Sequence, residues 1–245
     1  MHYNFLFNGC SWTFGSELEG ISDDQEHRRK HRYSHLIAKK YNKTYDNIAE
    51  GGSSNDRIIR KTIEWFEQGN TCDIAIIQFT LVCRIEYITE IERHSVNFSP
   101  RALGWQTDSS VDYTSLKRAH NSFYKEFYNN NLGLYNFYKN LFILEQYFEK
   151  KNIPHMLLRL TDVNHLIANS NQNLSNNWKC LCKHDYFDIY GLKEDILELH
   201  NKEEYLKYTT KNYVKEGFKY LTGNHPNELG HQKIAKFIMN NIQLD

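Results

Sequence analysis

The sequence predicts an α/β fold with a parallel sheet covered by helices on both faces. Three observations carry this. Short apolar runs alternate several times with amphipathic helical patterns along the 245 residues. The run "CDIAIIQFTLV" is apolar almost without a break, as in a central strand buried on both faces. Gly-, Ser- and Asn-rich turns follow the apolar runs, at the strand ends where open α/β sheets keep their functional loops.

Each element has its own warrant. "HYNFLFNG" is a short aromatic run closed by a turn, a first buried strand. "EHRRKHRYSHLIAKKYN" sets Tyr33, Leu36, Ile37 and Tyr41 at helical spacing, its charges forming a solvated face. "KTYDNIAEGG" is a second strand ending in glycines. "SSNDRIIRKTIEWFEQGN" opens with N-capping residues, repeats Ile58, Ile59, Ile63, Trp65 and Phe66, and stops at Gly69. The central strand comes next, its pattern running on through Thr80, Leu81, Val82 and Cys83. "LGLYNFYKNLFILEQYFEKKN" is a long helix and "IPHMLLRLTD" the following strand. "HPNELGHQKIAKFIMNNI" is the last helix, with Pro226 in its first turn and Leu229, Ile234, Ala235 and Ile238 inward. Two polar, Tyr- and Asn-rich stretches interrupt this rhythm, at about 86–131 and about 163–215. Neither carries a core of its own. The expectation is one domain, 1–245, with two insertions that shape a substrate face or bind a protein partner.

Composition narrows the function. Lys plus Arg and Asp plus Glu are 30 each, so no bulk charge favours nucleic acid or an anionic membrane. No apolar stretch is long enough to span a bilayer, and no signal peptide opens the chain. The expected location is cytoplasmic or virion-associated. Scarce proline and abundant Asn and Tyr fit an AT-rich genome, such as a viral one, without establishing it. The five cysteines, Cys10, Cys72, Cys83, Cys180 and Cys182, are odd in number and scattered, which argues for reduced thiols. "CLCKHD" has no second ligand pair, so no metal or cofactor is expected.

The stretch "NGCSWTFG" places Ser11 at the carboxyl end of the first strand. There a serine serves either to cap a helix or as a nucleophile whose own N–H faces a developing oxyanion. Thr13 and Gly15 read as turn-shaping. His225 is set in a loop just before the final helix.

"GCSWTFG" resembles the first block of the SGNH/GDSL hydrolases, G-D-S-x-T-x-G, with Cys10 in place of Asp. "NIAEGGSSNDRI" resembles the second block, with Gly52 matching the oxyanion-hole glycine. "HPNELGHQKIA" resembles the last block, in which the general-base His precedes a Pro and a helix. The resemblance implies a flavodoxin-like three-layer α/β/α sandwich, with Ser11 as nucleophile and His225 as base. It also implies an oxyanion hole formed by Ser11 and Gly52, and no cofactor. Two positions depart from the pattern. The D-x-x-H carboxylate is replaced by Thr222, and the G-x-N-D block after the central strand is missing. Asn55 is then either a replacement oxyanion donor or a first-turn helix residue. Thr222 itself, or an acid of "HDYFDIYG" such as Asp188 or Asp185, is left to orient His225. Arg84 and Glu86 read either as a substrate clamp or, the preferred reading, as a buried ion pair that closes the missing third block.

Two functions remain. One is a Ser–His esterase or acyl-hydrolase acting on small esters, with glycan O-deacetylation as its substrate class. The other is a catalytically degenerate member of the fold that serves as a binding or structural module, as in a virion.

Overall fold

The computed structural model describes residues 1–18, 25–88, 95–99, 102–103, 113–159, 187–188 and 225–242. The strands are β1 (His2–Asn8), β2 (Tyr45–Asn47), β3 (Thr71–Phe79), β4 (Ile85–Ile88), β5 (Ser95–Ser99), β6 (Ala102–Leu103), β7 (His155–Arg159) and β8 (Phe187–Asp188). The helices are α1 (Ser11–Phe14), α2 (Gln25–His31), α3 (Tyr33–Tyr41), α4 (Asn55–Glu67), α5 (Tyr113–Ser122), α6 (Asn130–Lys151) and α7 (Glu228–Asn241).

Five strands form one parallel sheet in the order β2-β1-β3-β7-β8. Numbered within that sheet, the order is 2-1-3-4-5, the flavodoxin-like arrangement. The chain therefore has the architecture that the SGNH/GDSL resemblance implies. β3 lies at its centre, which explains its near-continuous apolar sequence.

Alternation along each strand builds two cores. Phe5 and Phe7 of β1, Ile74 and Ile76 of β3, and Met156 and Leu158 of β7 pack with Tyr33 and Ile37 of α3 and with Ile234 and Ile238 of α7. Leu6, Ala75, Ile77 and Leu157 face the other way, against Ile58, Ile59 and Trp65 of α4 and Leu141 and Leu144 of α6. Helices thus cover both faces, giving three layers.

Four details differ from the sequence reading. The charged segment expected as one helix is two, because Arg32 is extended (φ −69°, ψ 146°). The break lets α3 lay its apolar face on the sheet, while α2 buries no residue. β3 stops at Phe79 although the apolar pattern runs on. There the Asn55 side chain captures both backbone polar groups of Thr80, and the chain turns away into β4. β4, β5 and β6 form a separate antiparallel sheet within the stretch 86–131 and at its border. In α7, Leu229 is 46% exposed, and Pro226 stands outside the helix. The cap is instead Asn227, whose side chain accepts the Gly230 N–H, so the helix begins at Glu228, two residues after the proline. Of the second insertion, 163–215, only β8 falls within the described residues. Among the described residues, no helix is long and apolar enough to cross a membrane.

Candidate active site

β1, β2 and β3 run parallel, so the loops holding Ser11, Gly52 and Thr80 all leave the same edge of the sheet. Gly9 lets β1 turn tightly into α1. A Cβ there would overlap the Thr13 side chain and stand 2.9 Å from Gln78 Cβ. Cys10 is the N-cap and Ser11 the first helical residue. Gly15 ends the turn with a left-handed φ of 84°, a conformation that excludes most side chains.

This loop is held by buried polar side chains. Thr13 Oγ1 donates to Gln78 Oε1 at 2.6 Å, which leaves it to accept from the Tyr33 hydroxyl at 2.6 Å. The other end of the Gln78 amide donates to Cys10 Sγ at 3.2 Å. Asn8 Nδ2 donates to Ile58 O and Thr62 Oγ1 of α4, and its Oδ1 accepts the Gly9 N–H. Asn47, at the end of β2, donates to Thr13 O and Ser34 Oγ. Burial holds the Tyr33 phenol far above its ordinary range, so it stays a neutral donor.

Ser11 is buried, and its Oγ makes one long contact, to Cys10 Sγ at 3.9 Å. No hydrogen bond joins it to His225 among the described residues. At the start of α1, the Ser11 N–H has no intrahelical acceptor. Gly52 has a φ of 79° with open space where a side chain would project. No described residue accepts its N–H. Gly51 beside it lies against Ser16, five residues beyond Ser11.

His225 meets a carboxylate that sequence reasoning missed. Its Nδ1 is 3.0 Å from Glu17 Oε1, and both side chains are mostly buried. The pair is a close contact rather than an aligned hydrogen bond. Glu17 itself has a φ of 70°, uncommon for a residue with a side chain and a mark of local strain. Nδ1 faces Glu17, a carboxylate not named among the expected partners of His225. Thr222 and Asp185 lie outside the described residues, and Asp188 is described only as backbone at the end of β8, paired with Arg159. Glu17 follows Ser11 by six residues, and an acid in the serine's own loop was the available signal.

Other expectations change as well. Asn55 is the first residue of α4, behind the Ser54 cap, and its amide is spent on Thr80. One Nδ2 hydrogen is thus taken up by the Thr80 carbonyl. Glu86 does not pair with Arg84. Arg60 takes it, at 2.5 and 3.0 Å, which drives the guanidinium pKa up. Arg84 instead donates to Ser53 O and Thr80 Oγ1, bracing the Gly52–Ser54 segment. The Ser54 N–H donates to Asn97 of β5, so the first insertion reaches the same segment.

His231, one turn into α7, is fully buried and stacks on Tyr33. Its Nδ1 accepts the Tyr33 N–H at 3.2 Å. Burial first, then His225 and Arg32, push its pKa down to about 3. It is a neutral structural imidazole. Cys10, Cys72 and Cys83 are free thiols, and burial pushes the Cys72 thiol up to about 12. Cys180 and Cys182 lie outside the described residues.

No family model and no curated protein matches this chain. Solved structures do. A psychrotrophic esterase from Pseudoalteromonas sp. is 11% identical, with 97% of this chain and 95% of that one covered and a TM-score of 0.47. A lipase/acylhydrolase from Enterococcus faecalis is 11% identical, with 98% and 95% covered and a TM-score of 0.47. A catalytic mutant of an acetylxylan esterase from Geobacillus stearothermophilus is 12% identical, with 99% and 95% covered and a TM-score of 0.40. Likenesses this distant add no weight to the fold assignment, which stands on strand order. The class defined by the fold is a flavodoxin-like α/β protein; Ser11 follows its first strand, and Glu17, six residues on, meets His225.

Proposed function

We propose that this chain is an SGNH/GDSL-type serine ester hydrolase acting on small esters, with acetylated glycans as its substrate class. The observation that carries this is the Glu17 carboxylate on His225 Nδ1. In the reaction, His225 Nε2 takes the proton of Ser11 as Oγ attacks the ester carbonyl. The Ser11 and Gly52 N–H groups receive the oxyanion, and Glu17 stabilises the imidazolium. His225 returns the proton to the leaving alcohol, and water deacylates the enzyme by the same steps. Ser11 Oγ must first rotate from Cys10 toward His225. The Asn donor of the family's third block is missing from the sequence, and one lost donor lowers the rate by about 10²–10³. Slow turnover on activated short-chain esters follows.

The test is covalent labelling by a fluorophosphonate, followed by mass spectrometry. Ser11 is expected to carry the label, and Ser11→Ala to lose both label and p-nitrophenyl acetate hydrolysis. Activity unchanged in Ser11→Ala would move the site elsewhere. One observation favours the second reading, a binding or structural module. Ser11 Oγ faces a weak sulfur acceptor rather than a base. Absence of label in the wild-type protein selects that reading.

A further inference from the structure

The fold brings together three metal-ligating side chains that the proposed reaction does not use. His27 and His31 stand one turn apart on α2, and Glu228 is the first residue of α7. His27 Nε2 is 2.8 Å from Glu228 Oε1, and His31 Nε2 is 4.0 Å from Glu228 Oε2. One ligand atom from each lies within 4.8 Å of the others. The imidazoles stack with centroids 3.9 Å apart, so both rings present their edges to the same carboxylate.

The protonation of one ring is fixed independently. His31 Nδ1 is 2.8 Å from the His27 carbonyl oxygen. A carbonyl only accepts, so Nδ1 carries the proton. In the neutral ring, Nε2 therefore directs its lone pair toward Glu228. A ring nitrogen tied to a backbone carbonyl while the other is free to ligate is the usual outer support of a metal-bound histidine.

We propose that His27, His31 and Glu228 bind one divalent transition-metal ion of the zinc type, joining α2 to the start of α7. Ligand atoms about 2.0–2.2 Å from such an ion stand roughly 3.5 Å apart, between the two separations seen here. Side-chain rotation closes the set. Two imidazoles and one carboxylate suit zinc, cobalt or nickel. The neighbouring Arg28, Arg29 and Lys30 disfavour a cation held by charge alone, such as calcium. The three side chains are about one-third to one-half exposed, so an ion has a path in and a water can complete its shell. Because α7 begins three residues after His225, the bound ion tethers the segment that carries the histidine. The proposal does not rest on the esterase reading.

The test titrates tag-free, full-length protein with zinc chloride by calorimetry and with cobalt(II) by visible absorption. One equivalent is expected, with zinc raising the melting temperature by a few degrees. His27→Ala and His31→Ala should each weaken binding at least ~10-fold, the least that loss of even an outer-shell partner brings. The double variant should lose the thermal shift. A Cys180→Ser/Cys182→Ser variant should bind as the wild type does. Lack of stoichiometric binding by the wild type overturns the proposal, as does undiminished binding in the double histidine variant. Loss of binding in the cysteine variant assigns the ion to "CLCKHD" and overturns it too. If a histidine variant misfolds by circular dichroism, Glu228→Gln, on an exposed side chain, takes its place with the same ~10-fold criterion.

Discussion

Ser11 and His225, the nucleophile and base of the proposed reaction, are held in opposite ways. Ser11 sits in a loop whose neighbours are fixed by amides and hydroxyls from four elements, the buried Asn8 of β1, Gln78 of β3 and Tyr33 of α3 and the half-buried Asn47 of β2. His225 sits just outside α7 and meets the serine's loop through one carboxylate, Glu17. The helix that follows it opens with Glu228, which meets a partly exposed histidine pair, and with an exposed leucine. Buried, fully partnered networks are stiff because each member leaves its neighbours unsatisfied if it moves. A single charge contact imposes less. Preorganisation on this edge therefore resides in the serine's half, and the histidine's half is where geometry is adjusted.

The sharpest way to break this asymmetry is Glu17→Gln. In the proposed reaction this carboxylate orients His225, so kcat should fall by up to ~10⁴-fold with KM little changed. A loss below about tenfold in steady-state assays would show that something else orients the ring.

The next effect is acid sensitivity, traced to His231 on the histidine side. An unfolded chain takes up a proton there near pH 6.5, the folded chain only near about 3. Protons below pH 6.5 therefore favour unfolding. This contribution to stability is complete above that pH and fades by about 1.4 kcal/mol per pH unit down to about pH 3. Urea unfolding across that window should show the slope, and His231→Asn, which does not titrate, should remove one proton's worth of it. An unaltered slope would mean that other groups set acid stability.

The smallest effect belongs to the serine's side. Gly9→Ala forces a methyl group into Thr13 and Gln78 and should lower stability by about 1–3 kcal/mol, read from the urea midpoint. A neutral substitution would show that the loop is softer than its hydrogen bonds imply.

What could be read from the sequence follows the reach of each interaction. β1, β2, β3, β7 and the long helices were legible because apolar runs and period-3.6 patterns are local, and Ile58, Ile59 and Trp65 of α4 lie in the core as their spacing marks. Ser11 and Gly52 were legible because glycines shape their turns within a few residues. The end of β3 was not, because Leu81 and Val82 continue the apolar run and only a side chain 25 residues upstream stops the strand. Glu17 escaped notice because its partner is more than 200 residues away, and nearness to Ser11 in sequence does not by itself assign it to that ring. The pairing of Glu86 with Arg60 rather than Arg84 is of the same kind, chosen by how α4 and β4 pack.

Glu17 and Ser11 lie within seven consecutive residues, while His225 arrives from the far end of the chain. Synthesis from the amino terminus therefore completes the loop with its serine and acid long before the imidazole emerges. A nascent chain displays both groups with no base to activate the hydroxyl. On the esterase reading, hydrolytic competence becomes a late event, gained only when α7 docks against α3 and brings His225 onto the waiting carboxylate. Reactivity of Ser11 toward a phosphonate would then report on the closure of the whole polypeptide rather than on the loop that holds it.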